Sequence, residues 1–188
     1  MELLGVLTAF GLSASAGLNA YIPLLVVALL ARFTNLIALQ SPWDTLTSWW
    51  VIGILIVLST VEFLADKFPA VNHVNDIIQT FIRPVAGAIL FAASAHVITE
   101  IHPILALSIG LLVAGGVHAV KAGAVRPAVT VTTGGAGNVA VSILEDFIST
   151  VVSILSVVIP VVVGCILILV TSWIIWLLWR RANSTKLA

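Results

Sequence analysis

Two adjacent carboxylates, Glu145 and Asp146, lie within the apolar stretch Thr130 to Ser156, shortly after a glycine-rich break. Asn138 ends that break, and its side-chain oxygen can accept from the free N–H groups of a helix's first turn, which predicts Asn138 as the N-cap of the next helix. Polar residues then recur at alternating steps of four and three: Ser142, Asp146, Ser149, Ser153 and Ser156. This spacing places them on one helix face. A carboxylate about two turns into an apolar helix is costly to expose to lipid, so the stripe must face protein, water or an ion.

Further charged residues fall near the ends of the other apolar segments. Five carboxylates could together gather a hard cation: Glu62, Asp66, Asp76, Glu145 and Asp146. Four basic residues could neutralise them or hold an anion: Lys67, Arg83, Lys121 and Arg126. The alternative is structural, because charges near helix ends reach the interface at little cost. In that case salt bridges lock the cytoplasmic helix ends, formed by the bases Lys67, Arg83 and Lys121 with the acids Glu62, Asp66 and Asp76.

Several catalytic and cofactor chemistries do not fit the sequence. The four histidines do not follow a zinc spacing, and the single cysteine, Cys165, excludes an intramolecular disulfide and a cysteine metal cluster. No Ser-His-Asp order or nucleophile elbow appears, and the glycine-rich break lacks the lysine that a P-loop needs. We therefore expect no cofactor and assign no catalytic residue.

The amino-acid composition indicates that this chain lies in a lipid bilayer. Hydrophobic residues make up 61% of it and charged residues 9%, and the mean hydropathy is +1.21. A soluble domain of this length could not cover such a surface with polar groups, so the chain is expected to form one integral membrane domain over residues 1–188. The formal net charge is zero, which leaves no electrostatic footprint for nucleic acid.

The first apolar run, Leu3 to Ala31, exceeds the roughly 20 residues needed to cross a bilayer. It is interrupted by small and polar residues at 13–19, ending in Asn19, and Pro23 removes a helical hydrogen bond four residues later. We interpret it as a crossing helix that is broken near its middle. The alternative is a tilted helix whose small residues pack closely against a neighbour.

The remaining apolar runs predict an all-α membrane protein with about six transmembrane segments. After the broken first helix, we expect a helix over about Trp49–Ala65, a short amphipathic or re-entrant segment near 70–82, and helices that start at Arg83-Pro84, Pro103, Asn138 and Pro160. Five crossings with a kinked last helix are the alternative. With six crossings, most Lys and Arg residues share one side, so the positive-inside rule places both termini in the cytoplasm.

The two halves of the chain resemble each other faintly. Residues 13–19 are similar to the second break at 132–138, and Arg83-Pro84 is similar to Arg126-Pro127. Paired, glycine-interrupted apolar segments indicate a transporter whose site lies between broken helices. Chance is the alternative, because Gly, Ala and Ser are common in membrane helices.

Several motifs together resemble one known family. They are Ala65-Asp66-Lys67-Phe68-Pro69, Arg83-Pro84-Val85-Ala86-Gly87-Ala88, Lys121-Ala122-Gly123 and Thr132-Thr133-Gly134-Gly135-Ala136-Gly137-Asn138 with Glu145-Asp146. This combination resembles the bacterial membrane-protein family catalogued as domain of unknown function 4126. The resemblance implies a small polytopic bacterial inner-membrane protein and supplies neither a substrate nor catalytic residues.

The sequence therefore predicts an inner-membrane transporter or channel for an ion, with a cation favoured, or for a small polar solute. The alternatives are an integral membrane enzyme or lipid-phosphate binder that uses the four basic residues, or a structural subunit. We expect a homo-oligomer in the lipid bilayer. The predicted substrate-binding residues are Asn19, Glu62, Asp66, Lys67, Asp76, Arg83, Lys121, Arg126, Asn138, Ser142, Glu145 and Asp146.

Overall fold

The computed structural model describes residues 2–66, 69–95 and 101–184, and the regular structure in these ranges is helical. The helices are α1 (Glu2–Leu18), α2 (Tyr21–Phe33), α3 (Trp49–Ala65), α4 (Pro69–Ala95), α5 (Pro103–Val120), α6 (Arg126–Thr133), α7 (Gly137–Val158) and α8 (Pro160–Ser184). A 3-10 turn (Trp43–Thr47) precedes α3, and a π turn (Lys121–Val125) joins α5 to α6. Four described helical stretches are long and apolar enough to cross a membrane: Ile77–Ser94, Pro103–Thr133, Gly137–Val158 and Pro160–Leu177. The predicted all-α membrane fold is confirmed.

The first apolar run is broken as predicted, but the break occupies residues 19–20, whereas residues 13–18 of the predicted interruption are helical. Asn19 Oδ1 accepts hydrogen bonds of 3.0 Å from the backbone N–H groups of both Tyr21 and Ile22. These N–H groups would otherwise bond carbonyls of α1, so the Asn19 side chain ends one helix and starts the next. Pro23 contributes to the break because it has no N–H for the Asn19 carbonyl.

The chain reverses at this break instead of continuing across. Phe33, at the end of α2, makes an edge-to-face contact with Trp49 at the start of α3, with ring centroids 5.9 Å apart. Tyr21, at the start of α2, lies beside Glu62 near the end of α3. Helices α2 and α3 are therefore antiparallel, and α1 with α2 forms a helical hairpin whose tip is residues 19–20. The second helix of this hairpin, α2, has 13 residues, well short of the roughly 20 that a crossing needs.

This reversal changes where the N-terminus lies. Ala9 packs in one cluster with Phe91 of α4 and Trp43 of the 3-10 turn, while the Leu18 carbonyl at the other end of α1 meets Lys121. The start of α1 and the α2–α3 connection thus lie at the same end of the molecule, opposite Lys121. The sequence-based prediction had placed the N-terminus on the side of the basic residues, with α1 and α2 running in one direction; in the structure the two helices run in opposite directions.

Helix α4 begins earlier than the sequence predicted. The segment 70–82 is helical, but it is not separate from the helix that was expected to start at Arg83, because α4 runs unbroken through Pro84. A proline removes only its own N–H bond, here to the Thr80 carbonyl. Close packing against α5 holds the helix across this position, since Gly87 and Gly110 approach so closely that a Cβ at either would collide with the partner helix.

The second predicted break, at 132–138, is confirmed as the turn between α6 and α7. Gly134 and Gly135 have φ angles of +61° and +90°, a region that glycine occupies without steric cost. This turn displaces the helix start, so Asn138 is not the N-cap. It lies inside the first turn of α7, where its Nδ2 donates to Thr130 Oγ1 at 2.8 Å. The Thr133 hydroxyl instead accepts from the Gly137 N–H at 3.0 Å.

Helix α8 begins directly after Ile159, without a polar linker. Its first turn packs on the N-terminal part of α1, where Val163 lies against Gly11 and Gly164 against Leu7. Beyond that contact most of the large apolar side chains that the structure describes in α8 are exposed, as expected for a helix that faces lipid or another subunit.

Candidate functional site

Charged side chains from the C-terminal end of α3, from α4, the π turn, α6 and α7 converge inside the helix bundle. Six of them are less than one-tenth exposed: Glu62, Asp66, Arg83, Lys121, Arg126 and Glu145. Burying an ionised group is costly unless it is paired and hydrogen-bonded. We call these six residues, together with Asp146, the charge network.

Arg83 of α4 is fully buried between two partners. Its Nη2 donates to Glu62 Oε1 at 3.0 Å, and its Nη1 lies 3.0 Å from His118 Nδ1. Because a guanidinium can only donate, Nδ1 of His118 accepts, and the imidazole carries its proton on Nε2. That nitrogen lies 3.1 Å from the Thr80 hydroxyl. These contacts therefore describe a neutral His118.

A second set of ion pairs joins α3, α6 and α7. Arg126 Nη2 lies 3.3 Å from Asp66 Oδ2 and 3.4 Å from Glu145 Oε2, so one guanidinium bridges two carboxylates. Lys121 Nζ lies 2.7 Å from the same Glu145 oxygen. The Ser142 hydroxyl donates to Asp66 Oδ2 at 2.7 Å. These contacts thus connect four segments at the same height in the bundle: the end of α3, the π turn, α6 and α7.

The π turn explains how Lys121 and Arg126 reach the same carboxylate. In an α-helix, positions five residues apart point about 140° away from each other. In the π turn the Arg126 N–H donates to the Lys121 carbonyl, five residues back, which widens the turn and brings both side chains to one face. Pro127 follows directly and has no N–H for an α-type bond. The turn therefore delivers two cations to Glu145.

The tip of the α1–α2 hairpin meets this network. Asn19 Nδ2 donates to Asp146 Oδ1 at 2.9 Å, and Lys121 Nζ donates to the Leu18 carbonyl at 2.9 Å. That carbonyl is available because Asn19 takes the Ile22 N–H that would bond it in a continuous helix. Asp146 is partly exposed. Within the described chain it has no ion-pair partner, unlike the other three acids of the network.

The serine stripe of α7 is buried on one face, as its spacing predicts. That face packs against α1 in antiparallel orientation: Ser15 Oγ lies 2.9 Å from Ser149 Oγ and 2.7 Å from Ser153 Oγ, and Thr8 Oγ1 donates to the Ser156 carbonyl at 2.8 Å. The hydroxyls of Ser149, Ser153 and Ser156 bond to the Ser15 hydroxyl or to backbone carbonyls. The stripe is therefore a seam between two helices, and not the lining of an aqueous cavity.

The structure brings together nine of the twelve predicted site residues: Asn19, Glu62, Asp66, Arg83, Lys121, Arg126, Ser142, Glu145 and Asp146. Lys67 and the side chain of Asp76 lie outside the described residues, and Asn138 bonds Thr130 instead of a charged group. The predicted Arg83–Glu62 pair is confirmed. Lys121 was expected to pair with an acid of α3 or α4 and instead pairs with Glu145.

Sequence reasoning missed two participants, His118 and the Leu18 carbonyl. His118 carried a signal, because Gly110, Ala114 and His118 recur at steps of four on the buried face of α5. No sequence signal pointed to the Leu18 carbonyl, since it is available only because the Asn19 side chain accepts the Ile22 N–H. Among the described residues, no three His, Cys, Asp or Glu side chains are grouped so that they could hold a metal ion.

The chain matches the family described as a domain of unknown function (DUF4126) over residues 6–180. The match covers nearly all of its length, and the chain belongs to this family. No curated protein and no solved structure matches it.

Proposed function

We propose that this protein is a multi-pass bacterial inner-membrane protein that moves a cation across the bilayer, with Asp146 and Asn19 at its ion-binding site. The observation that supports this most is the position of Asp146: a carboxylate without a basic partner in the described chain, bonded to the tip of a hairpin of two short helices. Short helices that end inside the membrane require protein or water around their free backbone groups, and such ends bind ions in transporters.

Charge balance favours a cation. The described network contains four acids and three bases: Glu62, Asp66, Glu145 and Asp146 against Arg83, Lys121 and Arg126. With His118 neutral, one negative charge is left over. Asp146 is the acid of the network that has no ion-pair partner in the described chain, and a partly buried carboxylate gains from a positive partner. We therefore place the transported cation beside Asp146.

The lipid-phosphate alternative is less well supported. Arg83, Lys121 and Arg126 are each less than one-tenth exposed and already contact carboxylates. A phosphate group would have to displace those partners and leave buried carboxylates unpaired.

A revised topology follows from the hairpin, and it is part of this proposal. In it, α1 and α2 enter from the outer face and return to it, and five crossings follow: α3, α4, α5 with α6, α7, and α8. The C-terminal tail with Arg180, Arg181 and Lys186 then lies in the cytoplasm, and Arg32 is the basic residue left outside, as the positive-inside rule favours. We also propose that the exposed apolar face of α8 contributes to a homo-oligomer.

Transport in proteoliposomes tests the proposal. Proton flux is followed with a pH-sensitive dye inside the vesicles under an imposed membrane potential, and Na+ and K+ uptake are followed with radioactive ions. The variant Asp146→Asn keeps size and hydrogen bonding but removes the charge, and we expect it to lose at least tenfold in flux of the transported ion. The matched control is Asp44→Asn, which changes an exposed acid outside the network.

Both variants should elute and melt like the wild-type protein. Flux that persists in well-folded Asp146→Asn protein would rule out this site. Wild-type vesicles that carry none of the three cations would rule out the function.

A further inference from the structure

We infer that a groove on the exposed side of α3 binds one anionic phospholipid, with an acyl chain in the groove and the phosphate on Arg32. We call it the α3 groove, and it is lined by Trp49, Trp50, Gly53, Ile54, Val57 and Leu58. It begins at the α2–α3 connection, at the end of the molecule opposite the charge network. In the topology proposed above the lipid belongs to the outer leaflet, while the binding site itself is independent of that topology.

The α3 groove has the dimensions of a single hydrocarbon chain. Its volume is about 640 Å³ and its lining is almost entirely apolar. It extends from residue 49 to residue 58 of one helix, which is about 13 Å at 1.5 Å per residue. The hydrocarbon core of a bilayer is about 30 Å thick, so one leaflet contributes about 15 Å. The groove can therefore accompany an acyl chain through most of one leaflet.

Gly53 forms the floor of the groove, one helical turn after the indoles of Trp49 and Trp50. No atom lies within 4 Å of the position that a Cβ on Gly53 would take. Glycine is less favourable than alanine inside a helix, and packing within the chain does not require it here, unlike at Gly87 and Gly110. The space beside Gly53 is thus open to a group from outside the chain.

Arg32 lies at the head of the groove. Its guanidinium carbon is 4.2 Å from the centre of the Trp49 ring, and its Nη1 donates to the Thr47 carbonyl at 2.6 Å. These two contacts orient the guanidinium, and the side chain remains exposed with further N–H donors. Among the described residues no carboxylate forms an ion pair with it. A phosphate diester, which a guanidinium can bind through two parallel hydrogen bonds, supplies the complementary charge.

The order of these groups along α3 matches the order of groups in a phospholipid. The guanidinium meets the head group, and the indoles of Trp49 and Trp50 lie at the interfacial level, where tryptophan is enriched. Trp50 is 86% exposed, so its ring is free to contact a lipid. A zwitterionic head group carries its own ammonium, which competes with Arg32 for the phosphate, whereas an anionic head group does not. Basic residues at a membrane surface attract anionic lipids for the same reason.

Lipid binding to purified, delipidated protein tests this proposal. Native mass spectrometry of the protein in detergent measures the apparent Kd of phosphatidylglycerol, with phosphatidylethanolamine and diacylglycerol of the same chains as references. We expect wild-type protein to bind phosphatidylglycerol about fivefold more tightly than either reference, which is the effect of about one basic residue at a membrane surface. Equal affinity for all three lipids would overturn the proposal.

The variant Arg32→Gln removes the charge but keeps a side chain that can donate to the Thr47 carbonyl. Its affinity for phosphatidylglycerol should fall about fivefold, to that for phosphatidylethanolamine. Arg180→Gln is the matched control, because Arg180 is also exposed and lies over a tryptophan, Trp176, on α8. It should change the affinity less than twofold. An equal loss in both variants would show a general effect of surface charge and overturn the assignment to Arg32.

The variant Gly53→Leu fills the floor of the groove without touching Arg32. Because the space is open, it should melt at or above the wild-type temperature, yet bind phosphatidylglycerol at least fivefold more weakly. Gly116→Leu is the matched control, at an exposed helical glycine that also has no atom within 4 Å of a Cβ, and it should bind like the wild type.

Wild-type lipid affinity in well-folded Gly53→Leu protein would overturn the proposal. If Gly53→Leu instead alters the oligomeric state and leaves lipid binding intact, the groove receives a second copy of the chain and not a lipid. Both outcomes leave the cation site at Asp146 untouched, since that site is tested by Asp146→Asn flux.

Discussion

Asn19 and Asp146 are 127 residues apart in sequence and share a hydrogen bond of 2.9 Å from Nδ2 to Oδ1. The other side-chain atom of the same amide, Oδ1, accepts from the N–H groups of Tyr21 and Ile22. One side chain therefore ends α1, begins α2 and fixes the position of the carboxylate without an ion-pair partner in the described chain. The geometry of the hairpin tip and the position of Asp146 depend on each other.

Replacing Asn19 should affect both features. We expect Asn19→Ala to lower the free energy of unfolding by about 1 to 2 kcal/mol, because the helix start loses its side-chain acceptor, and to reduce cation flux because Asp146 loses its donor. Denaturant titration in detergent and the vesicle assay measure the two effects. Asn35→Ala is the control, at an exposed position after α2. A wild-type unfolding curve for Asn19→Ala would contradict the capping role.

The hairpin makes a distinct topology prediction. A single cysteine at Leu3, in a background with Cys165→Ala, should react with a membrane-impermeant thiol reagent added to intact cells, because the start of α1 lies at the end opposite the charge network. A reporter fused after Ala188 should be active in the cytoplasm. Labelling of position 3 only after the cells are opened would restore the interpretation in which α1 and α2 cross the membrane together.

Local sequence patterns account for much of this structure. The bounds of α3 and the buried face of α7 follow from apolar runs and from periodic serines, because both are set by residues close in sequence. The break at Asn19 also has local signals, yet these do not state whether the chain continues or turns back. That direction depends on how α2 packs against α3.

The pairs within the charge network were harder to predict. Lys121 and Arg126 are five apart, a spacing that places them on different faces of a regular helix. Only the π turn brings both to Glu145. Pro84 led to a predicted helix boundary that does not exist. Tight packing of α4 on α5 keeps the chain helical at a position where a proline favours a boundary.

Deleting one residue from the π turn tests whether it exists to align these two cations. Without Gly123, Lys121 and Arg126 become four residues apart, and a regular α-helix keeps both on the face of Glu145. We therefore expect the Gly123 deletion to fold and to melt near the wild-type temperature. The protein would lose the π turn but keep its ion pairs.

The matched control is a deletion of Gly116, which is also exposed on the same helical stretch and has no atom within 4 Å of the position a Cβ would take. It lies in regular α-helix, so its loss rotates His118, Lys121 and Arg126 by about 100° relative to the start of α5. Stranding Glu145 without its bases should cost roughly 3 to 5 kcal/mol. Thermal melts in detergent compare the melting temperatures of the two deletion variants, and we expect only the Gly116 deletion to be strongly destabilised. Equal destabilisation by the two would show that the extra residue at 121–125 is not what aligns Lys121 with Arg126.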